Sequence, residues 1–175
     1  MFYGMCAAAA QKVSVPVALH LDHGNSFEMA ARALKAGYTS VMIDGSKEEF
    51  EANVTLSRKV AEMAHAMGIP VEGELGTVGG KEDNHEVKDS EKAYTDPEQA
   101  GEFAERTGVD SLAVGIGNAH GFYKGDPKLR FDILEETRKK SFNSHRASRG
   151  IRYSGRRRKE GNRTWNLQGE FLQQS

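Results

Sequence analysis

The sequence predicts an α/β fold, an incomplete (β/α)8 TIM barrel of about four central βα units with an irregular C-terminal tail. Three observations carry this expectation. Apolar runs of strand length alternate with stretches of helical period, and strands separated by helices pair in parallel because parallel neighbours need a crossover connection. Acids and imidazoles stand at the C-terminal ends of four successive strands, the layout of a barrel site; a doubly wound sheet would show a glycine fingerprint after its first strand, and GNSFEM is not one. Finally, the 175 residues fall short of the roughly 250 that a whole barrel takes.

The elements follow in order. Val15 to His23 (VPVALHLDH) is β-rich and ends at Gly24, and Ser26 opens the helical stretch FEMAARALKA, which Gly37 closes. Strand Thr39 to Asp44 leads to a helix from Glu48 to Met67, closed by Gly68, and then to strand Pro70 to Gly76. After a long loop come helix Pro97 to Thr107, closed by Gly108, and strand Ser111 to Gly117. Pro97 suits a first helical turn, where its missing N–H would have no partner. The final helix spans about Leu129 to Lys140.

Charge divides the chain. Residues 1–140 carry 16 Lys and Arg against 23 Asp and Glu, whereas residues 141–175 carry 8 against 2. The first part reads as an acidic enzyme; the second is basic, with apolar residues scattered at neither period. The longest uncharged apolar stretch, Met5 to Ala10, is far short of the roughly 20 residues of a membrane span, and a lone cysteine, Cys6, implies no disulfide. A cytoplasmic location is expected, and any metal must be held by His, Asp and Glu.

Asp22 and His23 end the first strand, Asp44 the second and Glu72 and Glu74 the third, while Asn118 and His120 follow the fourth. Neutral imidazoles suit a borderline cation such as Zn²⁺, with carboxylates as further ligands. A catalytic zinc usually takes three protein ligands, and two histidines are one short. A histidine at a strand end is more often a hydrogen-bonded structural residue, the reading kept for His20, His65 and His85. His23 and His120 stand out by their company in HLDHG and GNAHG, where glycine lets backbone N–H groups approach an anion. The loop Glu74 to Asn84 (ELGTVGGKEDN) combines paired glycines with Glu82, as a mobile lid delivering a base would; the plainer reading is a turn with solvated charges.

HLDHG, SVMIDGS, EGELGTVGG followed by KED, and GNAHGFYKG, in this order and spacing, resemble the class II, metal-dependent ketose-bisphosphate aldolases, which cleave fructose or tagatose 1,6-bisphosphate. The resemblance runs from about Val13 to Lys140 and implies a (β/α)8 barrel. It implies His23 and His120 as zinc ligands, Asp22 as the acid that protonates the aldehyde oxygen, and Glu82 as the loop base. Asp44 and Glu74 match positions associated with an additional divalent or monovalent cation, and Gly121 one that contacts the phosphate of dihydroxyacetone phosphate. Zinc would polarise the ketone and stabilise the enediolate, with no Schiff-base lysine. The implied partner is a phosphorylated sugar, with neither membrane nor nucleic acid, and the homo-oligomer usual in the family is not expected of this piece.

The same pattern implies two βα units before Val15, where MFYGMCAAAAQK resembles the end of a helix, and a third zinc-binding histidine in a motif like LHGASG after Lys140. SHRASRG is no such motif, since no apolar strand leads into His145. Back-translated from Ser141 and read one nucleotide later, the tail permits an apolar strand followed by HGASG, and the single codon of Trp165 before Asn166 forces a glycine where that reading has one. The expectation is therefore a partial aldolase barrel over 1–140, a basic frameshifted tail over 141–175, and an inactive chain. Two alternatives are a nucleic-acid-binding tail built on RGIRYSGRRRK and another metal-dependent barrel enzyme.

Overall fold

The computed structural model describes residues 2–76, 79–82, 85–86, 94–117, 119–120 and 129–142. Their order is α1 (Phe2–Ala10), β1 (His20–Gly24), α2 (Phe27–Ala36), β2 (Ser40–Ile43), α3 (Phe50–His65), β3 (Val71–Leu75), β4 (Gly79–Glu82), β5 (His85–Glu86), α4 (Pro97–Thr107), β6 (Ser111–Val114), β7 (Ala119–His120) and α5 (Phe131–Phe142). Strands β1, β2, β3 and β6 pair in parallel, in that order, as one unclosed sheet. The α/β architecture and its four parallel strands are those expected of a partial barrel.

Local signals set the helix ends. The Ser26 hydroxyl accepts from the Met29 N–H at 3.3 Å, and Gly37, at φ 101, ends α2 in the left-handed region. Asp96 caps α4 by accepting from Glu98 N, with Pro97 in the first turn. Ala30, Ala33 and Leu34 put one stripe of α2 onto the sheet, where they meet Val41, Ile43 and Val71. A second cluster gathers Leu75, Leu112 and Val114 around Phe103 of α4. Gly73 makes room for that ring, since a Cβ there would lie 2.9 Å from Phe103 Cε1. At the sheet's N-terminal end, Asp110 Oδ2 accepts from Val71 N at 2.7 Å and lies 2.8 Å from His65 Nε2, so His65 is a structural residue as expected.

Three elements differ from expectation. Strand β1 begins at His20 rather than Val15: Pro16 has no N–H to give a ladder, and Val13, Val15 and Val17 are at least half exposed. The stretch expected to be a loop carries β4, which pairs antiparallel with β5 and parallel with β7. Helix α5 continues through Phe142, within the usual scatter of helix ends. The tail expectations for residues 143–175 lie outside the described residues. No described helix is long and apolar enough to cross a membrane.

Candidate functional site

The site begins with an irregularity in β1. It pairs His20 with Ser40 and Leu21 with Val41, but Gly24 with Ile43, so β1 carries one residue more than β2 over the same span. The extra residue is taken up beside His23, whose φ of 46 makes it the single non-glycine in the left-handed region among the described residues. In a regular strand Asp22 and His23 would stand on opposite faces; the bulge re-aims one of them so that both serve one end of the sheet. Gly24 is required by close approach, because a Cβ there would lie 2.6 Å from the Met42 carbonyl oxygen.

His23 Nδ1 lies 3.0 Å from Asp44 Oδ2 and 3.5 Å from Glu74 Oε2, and its Nε2 lies 3.9 Å from Asp22 Oδ1. Asp44 follows β2 directly. Its backbone N–H donates to the Gly24 carbonyl at 2.8 Å and its Oδ1 accepts from Ser46 N at 2.9 Å. Burial alone would raise the Asp44 carboxyl, but the hydrogen bonds from His23 and Ser46 outweigh it and hold the group at about 2. Glu74, on β3, is nearly inaccessible, whereas the Asp22 side chain is 69% exposed. One ligand atom from each of His23, Asp44 and Glu74 can be chosen so that all lie within 4.8 Å of one another. An imidazole and two carboxylates converging at that spacing suit a divalent cation.

One layer toward the N-terminal end of the strands, His20 Nδ1 is 2.7 Å from Ser40 Oγ and its Nε2 is 3.6 Å from Glu72 Oε2. Burial pushes the Glu72 carboxyl up to about 7, helped by the charge of Asp22 and opposed by His23. Burial also lowers the His20 pKa, with Asp22 pulling up and His23 pushing down. At neutral pH their contact therefore joins a neutral imidazole to a partly protonated carboxyl.

The structure brings Asp22, His23, Asp44 and Glu74 together, as expected. The backbones of Glu82 and His120 belong to β4 and β7, which pair through Gly79 with Ala119 and Gly80 with His120. The side chains of Glu82, His85 and His120, and all of Gly121, lie outside the described residues. Sequence reading missed Ser46 and Asn53. An Asp-x-Ser turn after a strand was the available signal for Ser46; Asn53 Nδ2 donates to the Glu74 carbonyl at 2.8 Å from within α3, which no short motif announces.

A family model described as class-II fructose-bisphosphate aldolase matches residues 1–149. A Bacillus subtilis (strain 168) relative with fructose-bisphosphate aldolase in its name is 55% identical over 125 residues, 71% of this chain and 43% of its own length. Fructose-bisphosphate aldolase of Staphylococcus aureus (strain Mu50) is 52% identical over 124 residues, again 71% of this chain and 43% of the relative. Among solved structures, the YdjI aldolase of Escherichia coli K12 superposes with a TM-score of 0.65 at 44% identity, covering 79% of this chain and 47% of that one. The chain thus spans less than half the length of the relatives it matches.

Proposed function

This chain belongs to the class II fructose-bisphosphate aldolase family, and from that premise we propose that its site serves the reversible aldol cleavage of a ketose 1,6-bisphosphate, fructose or tagatose, to dihydroxyacetone phosphate and glyceraldehyde 3-phosphate in the cytoplasm. The observation that carries the reading is the convergence of His23, Asp44 and Glu74 at the C-terminal ends of three adjacent parallel strands.

The donor set fits the metal that the family implies. His23, with His120, would hold zinc, and Asp44 and Glu74 an additional cation. When bound, such a cation supplies Lewis-acid polarisation of the substrate ketone and offsets negative charge as the C3–C4 bond breaks. The chain's own residues do the rest. Asp22, beside His23 and open to solvent, would take the proton from the C4 hydroxyl in cleavage and hand it to the aldehyde oxygen in condensation. By the family resemblance, Glu82 would move the substrate proton and Gly121 would contact the phosphate. Asp44 orients the His23 ring by facing its Nδ1.

In this reading the unit is the partial barrel over 1–140, with 141–175 in a shifted frame, and the 175-residue chain itself turns over little substrate. The test is a coupled cleavage assay on this chain and on an extended protein with the shifted frame and the preceding βα units restored. The extended protein should cleave ketose bisphosphate and lose activity to a chelator. In it, Asp22→Ala should lower turnover with zinc retained, whereas His120→Ala should lose zinc as well. Vigorous cleavage by the unmodified chain, or full zinc stoichiometry in His120→Ala, would refute the corresponding assignment.

A further inference from the structure

We infer that Asn53 of α3 is a positioning residue for the cation site, fixing the spacing between the Asp44 and Glu74 carboxylates through one buried amide. The inference rests on the reading of His23, Asp44 and Glu74 as cation ligands. Asn53 is 1% exposed, an unfavourable place for a side chain that is a poor helix former and costly to bury unpaired. Both ends of its amide are spoken for. Nδ2 donates to the Glu74 carbonyl at 2.8 Å, and Oδ1 accepts from the Ser57 hydroxyl at 3.0 Å, one helical turn on. The Glu74 carbonyl can only accept, so it fixes Nδ2 as the end that faces β3, and the fully buried Ser57 hydroxyl donates to the other end.

The same amide reaches the other carboxylate's strand. A Cβ on Gly45, the residue after Asp44, would lie 2.4 Å from Asn53 Oδ1, so the backbone that carries Asp44 rests directly against Asn53. One side chain therefore touches both the segment that follows β2 and the end of β3, whose carboxylates face His23 from the adjacent strand and from the strand beyond it. An apolar residue of similar volume would fill this space without placing a polar group inside the helix–sheet layer. What the amide adds is a directional link between the two ligand-bearing backbones. Metal–ligand distances tolerate shifts of only about 0.2 Å, and loss of a residue that orients a ligand typically weakens metal binding by about 10- to 100-fold.

The test is Co²⁺ titration of the full chain, read by the visible cobalt bands and by calorimetry well below the unfolding temperature, with stability measured alongside. Asp44→Asn should abolish the binding event assigned to Asp44 and Glu74, which checks the ligand reading separately. Asn53→Leu should weaken Co²⁺ binding by about 10-fold or more and alter the cobalt bands, and Ser57→Ala, which leaves the bond to Glu74 in place, should move both readouts the same way by less. Lower stability with unchanged Co²⁺ affinity and spectrum in Asn53→Leu would overturn the inference and leave Asn53 a packing residue. If Asn53→Leu does not fold, Ser57→Ala decides by the same comparison. A wild-type chain that binds no Co²⁺, or a Co²⁺ titration and spectrum left unchanged by Asp44→Asn, would sink the ligand reading and the positioning role with it.

Discussion

Replacing Glu72 with Gln should make the metal-free protein more stable at pH 8 and leave it little changed at pH 5. In the folded chain the Glu72 carboxyl lies at about 7, above its ordinary 4.5, chiefly because it is buried and secondarily because Asp22 is near. A carboxyl raised on folding binds its proton more tightly in the folded state, so its contribution is fully present below 4.5 and is lost as pH rises through 7. Integrating proton binding between pH 5 and pH 8 gives a loss of about 2–3 kcal/mol, which needs no large discount for solvent because the side chain is only 20% exposed. Gln mimics the neutral carboxyl and carries no such loss. His20 titrates in the overlapping range with the opposite sign, since its pKa is lowered on folding, and the charges acting on it are Asp22 and His23. The informative quantity is therefore the difference between wild type and Glu72→Gln at each pH, measured by urea denaturation with chelator present. That difference should shift by about 2–3 kcal/mol in favour of the variant from pH 5 to pH 8. Parallel stability profiles would refute the reasoning and show that water reaches Glu72 freely.

Asp44 titrates the other way: held at about 2 against an ordinary 3.8, it contributes stability that is present above about 4 and lost as pH falls toward 2, so Asp44→Asn should flatten the acid limb of an unfolding curve over that window. Phe103→Ala, emptying a fully buried ring site that Gly73 and Phe50 enclose, should cost about 3–5 kcal/mol by denaturant titration. Arg106→Ala should move the midpoint far less, although Arg106 contacts both Glu51 and Glu102, because that network is solvent-exposed and screened. Thr95→Val should cost about 1–3 kcal/mol, since Thr95 Oγ1 donates to the Leu75 carbonyl and accepts from Gly115 N where the third strand leaves the sheet.

The parts of the fold that local chemistry decides were legible in the sequence. Ser26, Gly37, Pro97 and Gly108 mark helix ends because capping and the left-handed region are properties of single residues. Asp22, His23, Asp44 and Glu74 were legible because acids and an imidazole recur at the C-terminal ends of successive strands, which one strand end alone would not signal. What partners decide was not. VPVA alternates like a strand, yet β1 begins only at His20, where β2 supplies a ladder. Gly79 and Gly80 favour a loop on propensity, and β7 pairs them into a strand nonetheless. The bulge in β1 is equally silent, since HLDHG fits a regular strand as well as an irregular one. Asn53 was hidden because its value lies in a carbonyl on another element.

The left-handed backbone at His23 ties this residue to its two acidic neighbours. A side chain with a Cβ costs about 1–2 kcal/mol in that region, and glycine adopts it freely. Exchanging His23 for Gly would relieve that strain but take from Asp44 the hydrogen bond that holds its carboxyl at about 2 and from buried Glu74 its imidazole neighbour, a loss of about the same size. Among diverging descendants the histidine and the two carboxylates should therefore change together, because losing one alone leaves either backbone strain or a buried carboxylate deprived of its imidazole neighbour.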